Sequence, residues 1–346
     1  MHHGRISRDI ARGLQELRKR IDRANIPSSK LDETINVATW NIRDFGKSRR
    51  GTPAIHFIAE IINQFDLVAL TELRDKLDDL ERVMDLLGGY WKVIYSDYIS
   101  DDQGNLERIG YLYDKRAVTA TGLAAEADPL LRRKTDAKGT LQTTGDWWRS
   151  PYMVSFRAGN FDFIMMTVHI RYQKVSDREK PIEDLAKWVD VRRNEVGVKD
   201  KDFIVAGDFN ITSLRSKTYK NLVKYGLKMP VGLTNVTQAT IGKGKERFDQ
   251  IVHSPTNEAR FTAHGGILDF YHDSQGRPSI AGLYPDRATR PAASKFSHQL
   301  SDHYPLWVQI QTDIDAERFA EAAATPARAR RKAKSRSKRS KRKTGR

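Results

Sequence analysis

The eight residues Phe203-Ile204-Val205-Ala206-Gly207-Asp208-Phe209-Asn210 constrain the fold more than any other stretch of the chain. Four apolar residues bounded by Gly207 read as a strand buried on both faces. The chain then presents a carboxylate and an amide where the strand runs out. In an open α/β sheet ligands bind in the crevice beyond the carboxyl ends of strands, which places Asp208 and Asn210 for chemistry. Gly, Asp and Asn are also turn residues, so this motif alone reads equally as a turn. Other strand ends carrying similar polar cargo shift the balance.

Ile35 to Trp40 reads as a strand delivering Asn41, and Asp66 to Leu70 as one ending in Thr71-Glu72. Between them Thr52 as N-cap and Pro53 as first helical residue open a helix. Leu77 to Leu87 is helical and stopped by Gly88-Gly89. Trp91 to Tyr95, Ile109 to Tyr113 and Ala117 to Thr119 are short strands, with Glu107 just before the second. Tyr152 to Phe156 and Phe161 to Val168 form a hairpin around Gly159-Asn160, and the second strand ends at His169. Trp147-Trp148 reads as a lid or core corner in preference to a base-stacking surface. Pro181 opens a helix, another lies near Leu214 to Tyr225, and Phe248 to Val252 is a strand carrying Asp249. Ser254 to Gln299 is irregular, and Ser301-Asp302-His303-Tyr304-Pro305 introduces a last strand, Leu306 to Ile310.

Ahead of this body, Ile6, Ile10, Leu14, Leu17 and Ile21 repeat at helical spacing. The expected organisation is therefore residues 1–33 as an amphipathic helix and connector, 34–312 as the main domain, and 313–346 as a short helix (Ala316 to Ala324) and tail. The tail is strongly basic: the 346-residue chain carries a net charge of +16, and Pro326 to Arg346 holds 12 Lys/Arg without an acid, leaving +4 for the rest. Such a run buries nothing and is expected to be disordered; it reads either as a solvated tail or as an arm that binds nucleic acid or an anionic membrane surface by releasing counterions. The chain has no cysteine, which removes disulfides and thiolate metal sites. With no signal-peptide core and no membrane-length apolar run, the expectation is a soluble, cytoplasmic protein.

Asn41, Glu72, Glu107, His169, Asp208, Asn210, Asp249, Asp302 and His303 thus lie at or beside strand ends. Carboxylates and amides without thiolates suit Mg2+ or Mn2+ better than zinc, and Mg2+ is commonly shared between carboxylates and substrate phosphate. A histidine whose other nitrogen is oriented by a carboxylate can move a proton or hold a phosphoryl oxygen.

The motifs Ala38-Thr39-Trp40-Asn41-Ile42-Arg43-Asp44-Phe45-Gly46, Thr71-Glu72-Leu73-Arg74-Asp75, Gly207-Asp208-Phe209-Asn210, Phe248-Asp249-Gln250-Ile251 and Ser301 to Pro305 occur in that order. Together they resemble the endonuclease/exonuclease/phosphatase superfamily, and most closely its deoxyribonuclease I branch, from about Ile35 to Ile310. The resemblance implies a four-layer α/β sandwich of two mixed sheets flanked by helices, with a metal-dependent phosphodiesterase site at one edge. By position, it makes Glu72 the metal glutamate, with Asn41 and Asp302 completing or supporting that site. Asp208 and Asn210 match the pair that orients the attacking water and the scissile phosphate, His303 the histidine at the phosphate with Asp249 behind it, and His169 the second histidine with Glu107 behind it. Arg74 and Arg149 match DNA-contacting arginines, and Arg43 is a weaker candidate.

Two departures stand out. Asn105 replaces the tyrosine that lies against the minor groove in the branch, and its calcium sites are not recognisable, which leaves Ca2+ open. The expected activity is Mg2+-dependent endonucleolytic cleavage of DNA, duplex by preference, with low sequence selectivity and with the tail as a further nucleic-acid contact. The alternatives are an abasic-site or 3′-end repair nuclease, a phosphatase or phosphodiesterase of lipid or inositol phosphates, and a nucleic-acid-binding module without activity.

Overall fold

A computed structural model describes residues 1–100, 106–135, 139–143, 147–198, 200–242, 244–315, 319–320 and 323. Asn105, the basic tail and most of the expected helix from Ala316 to Ala324 lie outside these residues.

The first sheet comprises β1 (Thr34–Phe45), β2 (Leu67–Leu73), β3 (Trp91–Tyr95), β4 (Ile99–Ser100), β5 (Leu106–Asp114), β13 (Phe261–Ile267) and β14 (Leu306–Gln311), in the order β13-β14-β1-β2-β5-β3 with β4 beside β5. The second comprises β6 (Thr119–Glu126), β9 (Tyr152–Ala158), β10 (Phe161–His169), β11 (Phe203–Asp208) and β12 (Asp249–His253), in the order β12-β11-β10-β9-β6. A separate ribbon pairs β7 (Leu131–Thr135) with β8 (Leu141–Thr143). Each main sheet contains one parallel pair, β1 with β2 and β10 with β11, among antiparallel neighbours.

Period-two burial separates the layers. Along β10 and β11, Phe163, Met165, Ile204 and Ala206 join the core between the sheets, whereas Ile164, Met166, Phe203 and Val205 pack outward with Ile182, Leu185, Trp188 and Leu222. Those outer partners belong to α4 (Val175–Asn194) and α5 (Lys217–Val223). On the other side lie α1 (Arg8–Arg23), α2 (Thr52–Ile62) and α3 (Asp78–Leu87), with the short α6 (Ile280–Leu283) against α1. The result is the expected helix–sheet–sheet–helix sandwich, and each fully buried aliphatic or aromatic side chain in it contributes about 1.5–3 kcal/mol. The apolar stripe of α1 is consumed by this body: Leu17 is fully buried, and Arg20 donates to the carbonyls of Phe270, Tyr271 and Ser279. Among the described residues no helix is long and apolar enough to cross a membrane.

Several elements differ from expectation. Gly51, not Thr52, caps α2, and Thr52 is its first residue. Helix α4 begins at Val175 with Pro181 as its seventh residue, where the ring keeps a helical φ but removes one intrahelical hydrogen bond. Strand β6 covers Thr119–Glu126 instead of Ala117 to Thr119. The stretch read as irregular contains β13. Asn41, Glu72 and Glu107 lie within strands: β1 continues to Phe45 and β2 to Leu73, with register shifts after Asn41 and between Leu70 and Leu73.

Candidate active site

The two parallel pairs bring their carboxyl ends together where the sheets face each other. In the second sheet His169 pairs with Asp208, and Asp208 with Asp249, so three functional side chains occupy one row across β10, β11 and β12. Gly207 makes the row possible. At φ +134 it adopts a backbone that other residues avoid, and a Cβ there would lie 2.1 Å from the Val168 carbonyl oxygen. In the first sheet the register shifts coincide with left-handed backbone at Arg43, Asp44 and Glu72. Bulges of this kind re-aim side chains, here Asn41 and Glu72, across to the second sheet.

Three carboxylate and amide side chains then meet. Asn41 Nδ2 donates to Glu72 Oε1 at 2.7 Å and to Asp208 Oδ2 at 3.1 Å, joining the sheets. Backbone amides fix the remaining oxygens: Asp44 N–H donates to Glu72 Oε2 at 2.8 Å, and Asn210 N–H to Asp208 Oδ1 at 2.9 Å. Asn210 itself has left-handed backbone and spends Nδ2 on the Ile170 carbonyl at 2.7 Å, tying the ends of β10 and β11 together.

Two imidazoles close the site, each backed by its own carboxylate. His169 Nδ1 lies 2.8 Å from Glu107 Oε2, and His303 Nδ1 lies 2.8 Å from Asp249 Oδ2. The opposite nitrogens converge: His169 Nε2 stands 3.7 Å and His303 Nε2 3.8 Å from the same Asp208 Oδ2, and His169 Nε2 is 3.8 Å from Glu72 Oε1. These separations exceed hydrogen-bond length and leave room for a reacting oxygen. Burial disfavours the charged form of His303, but Asp249 and Asp208 outweigh it and push the group up to about 10. His169 is raised as well: burial opposes the charge, while Glu107 and Asp208 favour it against Arg149. For Glu107, burial alone would raise the carboxyl, but His169, Arg149 and Arg74 hold it below the ordinary range.

The three arginines expected to contact nucleic acid have partners inside the site. Arg74 Nη1 and Arg149 Nη2 reach the same Glu107 Oε1 at 3.2 and 3.1 Å, with side chains only 11% and 6% exposed. Arg43 Nη1 bonds Ser297 Oγ at 2.9 Å and pairs with Asp302, whose side chain is 41% exposed. Asp302 is therefore drawn toward Arg43, while Glu72, Asn41 and Asp208 form the tight group. Supporting residues went unassigned from sequence. Ser301 Oγ donates to the Asn41 carbonyl at 2.6 Å and accepts from His303 N–H at 3.0 Å, and Thr240 Oγ1 accepts from Asp249 N–H at 3.1 Å. Ser301 stands in a recognisable motif; Thr240 carries no sequence signal.

The donor set fits a hard divalent cation. Asp208, Asp249 and His303 present ligand atoms within 4.8 Å of one another, although Asp249 Oδ2 is already engaged by His303. Glu72 and Asp208, two carboxylates held by one amide, are oxygen donors of the kind such an ion takes.

A family model described as the endonuclease/exonuclease/phosphatase family matches residues 38–303. Comparison with curated proteins returns no match. Among solved structures, an endonuclease/exonuclease/phosphatase family protein from Bacteroides thetaiotaomicron is similar at TM-score 0.53 and 18% identity, over 82% of this chain and 96% of that one. Truncated Caenorhabditis elegans TDP2 is similar at TM-score 0.52 and 16% identity, over 80% and 97%. A mannosyl-6-phosphatase from Bacteroides thetaiotaomicron is similar at TM-score 0.51 and 18% identity, over 80% and 99%. These likenesses establish the fold, and the family match spans well over half of the chain and every motif from Trp40 to His303. The chain belongs to the endonuclease/exonuclease/phosphatase family.

Proposed function

We propose that this protein is a divalent-metal-dependent phosphodiesterase that cuts DNA internally with low sequence selectivity, by in-line attack of water on phosphorus. The observation that carries this reading is the convergence of two carboxylate-backed imidazoles on one oxygen of Asp208. Glu72 would hold the ion, with Asn41 orienting it and Asp302 in support. Bound there, a divalent cation would supply Lewis-acid stabilisation of the phosphoryl and leaving oxygens.

The chain's own groups divide the remaining work. His303, charged at neutral pH, donates from Nε2 to a non-bridging phosphoryl oxygen as negative charge builds on it. Asp208 Oδ2 accepts a hydrogen of the attacking water, and Asn210 N–H keeps that carboxylate aimed. His169, oriented by Glu107, gives its Nε2 proton to the leaving oxygen as the P–O bond breaks. Arg74 and Arg149 stabilise Glu107 and bring positive charge into the site. The 12 cationic residues of the tail favour a polyanion over a small phosphomonoester.

The test is nicking of supercoiled plasmid by the full chain with Mg2+ or Mn2+, run beside mannose 6-phosphate, an abasic oligonucleotide and a phospholipid headgroup ester. Cleavage of plasmid abolished by EDTA is the expected result. Phosphate release from the sugar ester with plasmid intact would replace this reading by a phosphomonoesterase.

A further inference from the structure

We propose that the cavity beside His169, walled by Trp147, Trp148, Arg149 and Arg171, is a subsite for one unpaired nucleobase flanking the scissile phosphate; the assignment rests on the phosphodiesterase reading above. Its volume is about 120 Å3. That is well below the roughly 300 Å3 of sites for drug-sized ligands, so the occupant is no larger than one planar ring entering from the open side.

The cavity is continuous with the chemistry. Strand β10 ends at His169 and runs on through Ile170 and Arg171 along the cavity wall. Arg149 is both wall and buttress, since Nη2 holds Glu107 Oε1 at 3.1 Å and Nη1 reaches the His169 carbonyl at 3.4 Å. A ring seated here is one side chain away from the reacting centre.

The tandem tryptophans divide between two roles. Trp147 faces inward onto Trp188, with centroids 6.3 Å apart at 64°, as a core corner does. Trp148 instead carries the Arg171 guanidinium over its ring at 3.5 Å. An indole–guanidinium pair is a flat cationic surface of the kind on which bases stack. Arg149, Arg171 and Arg178 against Asp177 make the lining net positive, suited to a ring that arrives with a phosphate. A base within a duplex must leave its stack to enter, so single strands are the better substrate.

Two measurements on the full chain test this. In EDTA, where no cleavage is expected, thymidine 5′-monophosphate should quench tryptophan fluorescence of the wild type, with affinity falling about 5- to 150-fold in Trp148→Ala and in Arg171→Ala. With Mg2+, cleavage of a single-stranded oligonucleotide is compared with one carrying a tetrahydrofuran residue in place of the flanking nucleotide. The wild-type preference for the base-bearing strand should shrink by a similar factor in both variants and recover in Trp148→Phe. Unchanged nucleotide affinity and an unchanged preference would overturn the subsite while leaving DNA cleavage standing. If the wild type cuts no DNA, the phosphodiesterase reading fails, and the fluorescence titration still decides whether the cavity takes a base. Should Trp148→Ala fail to fold, Arg171→Ala on the cavity rim decides.

Discussion

Four of the six described non-glycine residues with left-handed backbone, Arg43, Asp44, Glu72 and Asn210, surround the reacting space. Each costs on the order of 1–3 kcal/mol, and such strain persists only where the surroundings over-determine it. Here the determinants are hydrogen bonds that fix Glu72 and Asp208 before any substrate arrives. His303 is fixed in the same way and yields two predictions. Replacement by Ala should lower cleavage by about 10²- to 10⁴-fold while leaving DNA binding intact in a filter or anisotropy assay; retained cleavage would exclude the role given to it. The second concerns stability in EDTA. The folded-state value of His303 lies near 10, above the ordinary 6.5, so its pairing with Asp249 stabilises fully below pH 6.5 and is lost as pH rises through about 10. Urea unfolding of wild type and His303→Gln should therefore differ by about 1.5–3 kcal/mol near pH 6.5 and converge above pH 10. A pH-independent difference would mean that the native imidazole is neutral.

Among the elements, β11 shows how much rests on a single position. Gly207 pairs with Val168, and adjacent register positions carry Asp208 and His169. In Gly207→Ala the new methyl group would collide with the Val168 carbonyl, so β10 and β11 must part. A loss of more than about 3 kcal/mol in urea unfolding is expected, together with loss of plasmid nicking, because both side chains shift. Wild-type stability in this variant would show that the strands tolerate separation. The apolar run before Gly207 made β11 legible in sequence, as Gly159-Asn160 did for the β9–β10 hairpin and Gly88 for the end of α3. Strand β13 was not legible: Phe-Thr-Ala-His-Gly-Gly-Ile alternates poorly, and its glycines answer to tertiary contact. A Cβ on Gly232 would meet the His264 backbone at 2.6 Å, and one on Gly265 would meet Gly232 at 3.0 Å. The site followed the same division. The carboxylate behind each histidine could be placed from ordered motifs, whereas the closure of Arg74 and Arg149 onto Glu107 depends on residues 33 and 42 positions apart whose spacing carries no signal.

At the scale of the whole molecule, the site exists only because two sheets face each other. Asn41 and Glu72 come from the first and His169, Asp208 and Asp249 from the second; Glu107 crosses from β5 of the first sheet to His169, and His303, in the segment leading into β14, reaches Asp249. This body carries only +4 of the net charge, and the remaining +12 follows it in Pro326 to Arg346. On the proposed reading, the site residues lie in the body and the tail supplies affinity for the polyanion. Each phosphate neutralised by a cation contributes about 0.9 to the slope of log affinity against log salt. If half of the tail's cations engage phosphates, deletion of residues 326–346 should flatten that slope by about 5 and weaken binding most at low salt. Cleavage of saturating oligonucleotide should persist, because no site residue is removed. Anisotropy titrations of full-length and truncated protein between 50 and 300 mM salt measure the slope, and identical slopes would remove the tail from nucleic-acid binding and leave recognition to the folded body.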